Sequence, residues 1–280
     1  MSIDIHPKVW LITGASSGFG RAMANYVASR GDHVVVTSRK LEQLTELAAV
    51  HKGLIHPIAT DITIPGDCDE AVKLAQGLGG LDVLVNNAGY GLLGAFEECS
   101  ELEVRRCIET NLFGPLNMAR AALPVMRGQK RGVIVNISAA AAISNYAGFA
   151  AYGAAKAGME LAFEAIAAEV RPLGIRVCLV QPGPFRTGFI SRSLHRGERH
   201  MPEYDATSGR FAKFLASIDG KQAGDPEKAA KIICDTAASE DVPLRLVLGK
   251  YAVDKARRMH QAALADLERQ IEVASSADGK

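Results

Sequence analysis

The stretch FAAYGAAKAGMELAFEAIAAEV, residues 149–170, sets Tyr152 and Lys156 four residues apart in an Ala-rich run. Side chains at i and i+4 of a helix meet on one face. A free phenol, with a pKa of about 10, is a poor base at neutral pH. An ammonium group held beside it favours the phenolate and lowers that pKa, which would make the phenolic proton transferable. Two unrelated residues on a solvated face would show the same spacing, so the pair by itself leaves both readings open.

A second chemical signal lies near the start, in LITGASSGFGRAMANYV. Gly14, Gly18 and Gly20 fall between an apolar run and a helix-period segment. Glycines there let the backbone approach a pyrophosphate, and the helix N-terminus offers free N–H groups to it. The spacing is G-x3-G-x-G rather than the usual dinucleotide fingerprint, and a plain tight turn is the alternative. The absence of a Gly-Lys-Ser/Thr sequence disfavours a nucleotide triphosphatase. Further on, VVVTSRK places Ser38, Arg39 and Lys40 where a site for an unphosphorylated ribose would carry an acid. A guanidinium there can pair with a 2′-phosphate in bidentate fashion, which favours NADP(H) over NAD(H). Solvated residues opening the next helix are the competing account.

The elements that must position these groups are legible as alternation. VWLIT (9–13), HVVVTS (33–38), LIHPIAT (54–60), LDVLVN (81–86), GVIVNIS (132–138), IRVCLVQ (175–181) and LRLVLG (244–249) read as strands. Helix-period stretches lie between them at 18–30, 40–50, 67–77, 100–127 and 148–172. Strands this apolar are buried on both faces, so the order predicts an α/β fold with a doubly wound, Rossmann-type parallel sheet and helices on both faces. Seven strands fall one short of a (β/α)8 barrel, and the Gly-rich turn decides for the open sheet. No repeat or linker divides the chain, which predicts a single domain over residues 1–280. Regularity lapses between Phe185 and Gly224, an insertion expected to act as a lid. It resumes at GDPEKAAKII, with Asp225 as cap and Pro226 in the first turn. Beyond residue 250, Ala252, Ala256, Met259, Ala263, Leu267 and Ile271 recur at helical spacing and predict an amphipathic helix. That helix is expected to pack on its own domain or across a subunit interface.

TGASSGFG (13–20), NNAG (86–89), TNLFG (110–114), VNIS (135–138), YGAAK (152–156) and QPGPFRT (181–187) stand together in the order and spacing of the short-chain dehydrogenase/reductase family. The chain resembles that family over roughly residues 8–249. The resemblance implies a seven-stranded sheet, a nicotinamide cofactor and a site outside the carboxyl ends of the strands. It assigns Gly14, Ser16, Ser17, Gly18, Phe19 and Gly20 to the pyrophosphate and its ribose. Asp61 and Ile62 would meet the adenine, and Asn87, Ala88 and Gly89 would run along the cofactor. Pro182, Gly183 and Thr187 would hold the nicotinamide amide. Asn111, Ser138, Tyr152 and Lys156 would form the catalytic tetrad, with Tyr152 and Lys156 also touching the cofactor. In that scheme Ser138 hydrogen-bonds the carbonyl oxygen and Tyr152 exchanges a proton with it as general acid or base. Lys156 lowers the phenol's pKa, and Asn111 supports a water-linked proton path. Assembly as a homodimer or homotetramer through helices 100–127 and 148–172 is implied as well. The reaction expected is interconversion of a carbonyl and an alcohol; a catalytically silent NADP(H)-binding sensor or scaffold is the alternative.

Two residues depart from the family's habit: Phe19 and Phe185 stand where smaller aliphatics are usual. Substrate choice is expected to reside in three segments. The first contributes Tyr90 and Leu92, the second Ile143, Tyr146 and Phe149, the third Phe185 and Phe189. This mostly apolar set favours a medium-sized hydrophobic substrate. The basic run 191–200 reads as a solvated lid surface, with a site for an anionic substrate tail as the alternative. With 32 basic and 31 acidic residues the formal charge is +1, so no global field favours nucleic acid or an anionic membrane. Five scattered cysteines without a CxxC pair, and seven dispersed histidines, argue against a disulfide framework or a metal site. The N-terminal sequence lacks a secretory pattern and no apolar run is long enough to span a membrane, so a cytoplasmic location is expected.

Overall fold

The computed structural model describes residues 7–279. All seven strand candidates form: β1 (Val9–Ile12), β2 (His33–Ser38), β3 (Ile55–Ala59), β4 (Val83–Asn86), β6 (Gly132–Ile137), β7 (Ile175–Pro182) and β9 (Arg245–Leu248). They make one sheet in the order β3-β2-β1-β4-β6-β7-β9, parallel throughout. Alternate side chains of each strand enter opposite cores. Trp10, Ile12, Val34, Val36, Val83 and Val85 pack on one face, and Val9, Leu11, Val35, Leu84 and Ile134 on the other. Both faces therefore need covering, which is why the strands read as unbroken apolar runs. The first face is covered by α1 (Gly18–Ser29), α2 (Thr45–Val50) and α9 (Pro226–Ala238), the second by α3 (Pro65–Gly77), α5 (Gly114–Gln129) and α7 (Ala150–Val170). Asp225 caps α9 as expected, its carboxylate accepting from the N–H groups of Glu227 and Lys228 at 2.9 and 3.2 Å.

Three segments differ from the periodicity reading. Residues 40–50 split into a short 3-10 turn, Leu41–Leu44, followed by α2. The stretch 100–127 is not one regular helix: α4 (Glu101–Ile108) and α5 are joined by a π-helical turn over Glu109–Phe113. One extra residue in a turn leaves the surrounding apolar spacing almost intact, so it is invisible as a pattern. The insertion also carries more structure than expected. Its β8 (Leu194–Arg196) pairs in parallel with β5 (Gly91–Leu93), directly after the NNAG segment, and α8 (Arg210–Ile218) follows. Two further helices complete the described chain, the single turn α6 (Ala140–Ile143) and α10 (Lys250–Ser275). Only the start of α10 packs: Ala252, Lys255 and Ala256 are buried, and every described residue from 257 on is exposed.

Candidate active site

The chain leaves β1 for β2 and β3 on one side and returns across β1 to β4 on the other. Their carboxyl ends therefore flank the crevice that such a reversal opens. Thr13 holds it in shape: its hydroxyl accepts from the N–H groups of Asn87 and Ala88 at 2.9 and 3.0 Å. The Asn87 amide donates back to the carbonyls of Thr13 and Gly14 at 2.8 and 3.0 Å. Gly14 has φ of +66°, and a Cβ there would lie 2.8 Å from Ala88 Cα. Gly20 is tighter still: a Cβ would meet the Gly14 carbonyl oxygen at 2.5 Å and the Asn87 amide nitrogen at 2.6 Å. The turn is thus bare backbone opening onto the N-terminus of α1. Ser17, at the N-cap position, makes no side-chain capping bond. These features fit a pyrophosphate, whose charge the unpaired N–H groups would meet.

One cleft of about 950 Å³ runs from this turn across the sheet. Ser16, Ser17, Gly18 and Phe19 line its near end together with Ser38, Arg39, Asp61 and Ile62. Asn87, Ala88 and Gly89 form the floor, and Pro182, Gly183 and Thr187 the far wall. Gly20 lies beneath the turn rather than in the wall, and Lys40 is exposed outside the cleft. Asp61 accepts from the backbone and side chain of Thr63 at 3.0 and 2.7 Å, which fixes its carboxylate at the end of β3.

Asn111, Ser138, Tyr152 and Lys156 line the same cleft. The π-helical turn aims Asn111 inward; its amide nitrogen donates to the Tyr90 and Cys107 carbonyls at 2.9 and 3.0 Å. Its amide oxygen is buried without a partner among the described residues, an acceptor beside Gly89. Such an orphan has a cost, and it is the acceptor a water-linked path would use. Tyr152 and Lys156 do share a face of α7, and both are buried. Their electrostatics, however, run opposite to the sequence expectation. Burial, with Cys107 adding to it, raises the Tyr152 phenol above its ordinary value. Burial pulls Lys156 down to about 8, against the opposing pull of Cys107 and Glu160. The Lys156 ammonium is turned to the Ile137 carbonyl, to which it donates at 2.8 Å. Desolvation dominates because the phenol sits among the Phe149 and Phe189 rings, with centroids 5.1 and 5.8 Å away.

Beyond Tyr152 the wall becomes aromatic. Tyr146 stacks on Phe211 at 4.7 Å and 7°, and Phe149 meets Phe211 edge-on at 5.1 Å. Phe189 approaches Gly91 through the β5–β8 pairing. Tyr90, Tyr146, Phe149, Phe185 and Phe189 all line the cleft, whereas Leu92 is buried beneath it in β5 and Ile143 stands outside it on α6. The sequence reading missed Phe211, Phe214 and Tyr251, which complete this wall. The Tyr251 hydroxyl bonds that of Tyr146 at 2.8 Å, and Lys255 lies 3.5 Å over the Tyr146 ring. The signal available was the i, i+3 spacing of Phe211 and Phe214, which fall on one face of α8 within a stretch read as irregular. Phe185, the family departure, fills the space over Gly224 and Gly249 and meets Phe19, the other departure, edge-on at 5.1 Å. Among the described residues no cluster of His, Cys, Asp or Glu could hold a metal, and no helix is long and apolar enough to cross a membrane.

A doubly wound sheet with a bare nucleotide turn at its reversal, and a Tyr–Lys helix face in the same cleft, defines an oxidoreductase that uses a nicotinamide cofactor. The profile of short chain dehydrogenases matches residues 8–196, and the chain belongs to that family. It is 40% identical to a short-chain dehydrogenase from Streptomyces avermitilis of known structure, with a TM-score of 0.91, covering 99% of this chain and 100% of that one. It is 34% identical to the oxidoreductase BOA17 of Botryotinia fuckeliana over 96% of this chain and 99% of that protein. Identity with the 3-ketodihydrosphingosine reductase of Bacteroides thetaiotaomicron is 37%, over 88% of this chain and 89% of that protein.

Proposed function

We propose that the protein is an NADP(H)-dependent reductase that interconverts a medium-sized hydrophobic ketone or aldehyde with its alcohol. The observation that carries this reading is the meeting of Asn111, Ser138, Tyr152 and Lys156 in a cleft whose substrate end is lined by aromatic rings. The nicotinamide, when bound, gives or takes the hydride. Ser138 then hydrogen-bonds the reacting oxygen, and Tyr152 exchanges a proton with it. A phenol raised by burial stays protonated at neutral pH, which suits it as the proton donor of carbonyl reduction. Lys156, anchored on the Ile137 carbonyl, keeps its remaining donors for the ribose and for the path to Asn111. The relative named 3-ketodihydrosphingosine reductase points the same way. The test is loss of NADPH absorbance over a panel of steroids, retinoids, cyclic ketones, acetophenone and aldehydes. NADPH binding without turnover of any of them would favour a silent sensor.

The preference for NADP(H) rests on Arg39, exposed at the end of β2 where no acid stands. Arg39→Ala is expected to weaken NADPH binding about tenfold, the worth of an exposed charge-assisted phosphate contact, and to leave NADH nearly unchanged. Fluorescence titration with both cofactors decides it, and an equal loss for the two would defeat the phosphate assignment.

Assembly of two or four copies is proposed to use α10 as well as the long helices. Leu264, Leu267 and Ile271 are 56%, 57% and 54% exposed along one side of its projecting part. Its first free turn carries Arg257, Arg258 and His260; its later turns carry Asp266, Glu268 and Glu272 against Arg269, which pairs with Asp266. A second copy laid antiparallel would bring basic against acidic ends and bury both stripes in a two-fold contact. Light scattering of wild type and Leu267→Glu is expected to show the mass halved by the substitution. An unchanged mass, or a monomeric wild type, would sink the proposal.

A further inference from the structure

One buried acid has no part in the scheme above. Tyr152, Lys156 and Glu160 follow one another at i, i+4 and i+8 of α7, and are only 6%, 4% and 6% exposed. Glu160 bridges the ends of two strands. One carboxylate oxygen accepts from the hydroxyl of Ser138, the residue after β6, and the other from Gln181 Nε2 of β7 at 2.7 Å. Taking a carboxylate out of water costs several kcal/mol unless bonds and charge compensate, and an apolar side chain would fill the space at less cost. The compensation is local: two hydrogen bonds and the positive charge of Lys156, which Glu160 in turn supports.

The geometry has a chemical consequence. An ionised carboxylate only accepts, while a serine hydroxyl has one proton and two lone pairs. The proton that Ser138 gives to Glu160 is unavailable to the reacting oxygen at the same moment. We propose that Glu160 is a positioning residue that turns the Ser138 hydroxyl, so that its lone pairs face the reacting oxygen and the site holds an alcohol better than the matching carbonyl. To donate to a carbonyl, Ser138 must give up its bond to Glu160. This inference rests on Ser138 meeting the reacting oxygen, as in the scheme above.

Glu160→Gln keeps the shape and reverses the polarity. The amide oxygen can still accept from Gln181, while its NH2 donates to Ser138 Oγ and frees the serine proton for the cleft. With acetophenone and 1-phenylethanol as probes, KM for the ketone is expected to fall and KM for the alcohol to rise, their ratio moving about tenfold. The reaction's equilibrium constant fixes the ratio of kcat/KM in the two directions when cofactor binding is unchanged. The change must therefore appear as a split between kcat and KM. In a Ser138→Ala background the same substitution is expected to leave the ratio alone. A ratio unmoved by Glu160→Gln in the Ser138 enzyme, with only a lower Tm, would mean a purely structural acid. A second readout needs no turnover: the Ser138 hydroxyl proton, held on a carboxylate, is expected as a protected downfield proton resonance. It should vanish in Ser138→Ala and in Glu160→Gln, and its survival in the latter would overturn the proposal. If wild type turns over neither probe, the carbonyl–alcohol reading fails for them while this resonance still decides the role of Glu160.

Discussion

Tyr152→Phe is expected to lower kcat by about a hundred- to ten-thousandfold, the usual contribution of a positioned general acid, while leaving the fold and NADPH binding intact. The ring is packed against Phe149 and Phe189, and Phe reproduces that packing. No hydrogen bond contributes to the state of its hydroxyl, so deleting it strands no protein partner and Tm should move by little. The combination separates chemistry from structure. Stopped-flow hydride transfer and NADPH fluorescence on the same variant supply both numbers. Turnover near the wild-type rate would remove Tyr152 from the mechanism.

Gly20→Ala is expected to disrupt the nucleotide turn. Its Cβ would stand 2.5 Å from the Gly14 carbonyl oxygen, 2.6 Å from Asn87 Nδ2 and 2.9 Å from Ala15 Cα. Two of these neighbours are backbone, and the third is the amide that ties the turn to β4. None can yield without opening the nucleotide turn. Overpacking of this kind costs about 1–3 kcal/mol, and NADPH affinity should fall at least about a hundredfold with loss of the cradle. Gly66→Ala, in α3 with nothing within 4 Å of the added carbon, is the control, expected to be neutral or slightly stabilising. Thermal melts and cofactor titration of the two variants check the contrast, and a Gly20→Ala protein that binds NADPH normally would contradict this account of the turn.

What the sequence made legible was whatever repeats or crowds. Strands buried on both faces are apolar throughout, so β1, β2, β4, β6 and β7 stand out residue by residue. A backbone that must touch a phosphate needs glycine, so the first turn does too. What stayed hidden depends on three-dimensional neighbours. The π-helical turn that aims Asn111 adds one residue to a helix and breaks no pattern. The β5–β8 pairing joins segments about a hundred residues apart that carry no mutual signal. In α7 the four charges are alike as sequence, yet Lys156 and Glu160 are buried while Glu164 and Glu169 are exposed. Only the facing strand ends make that difference. The same neighbours reverse the expected direction of the Tyr152 pKa, because spacing records the ammonium one turn away but not the rings around the phenol.

The two residues that depart from the family's habit touch each other, and this changes what kind of departure they are. Phe19 belongs to the nucleotide turn and Phe185 to the root of the insertion, so their rings join the part of the molecule common to the family to the part that distinguishes its members. An aliphatic at either position alone would leave its partner's ring half supported. Along the chain they are two separate departures; in space they are one contact, which ties the nucleotide turn to the root of the insertion.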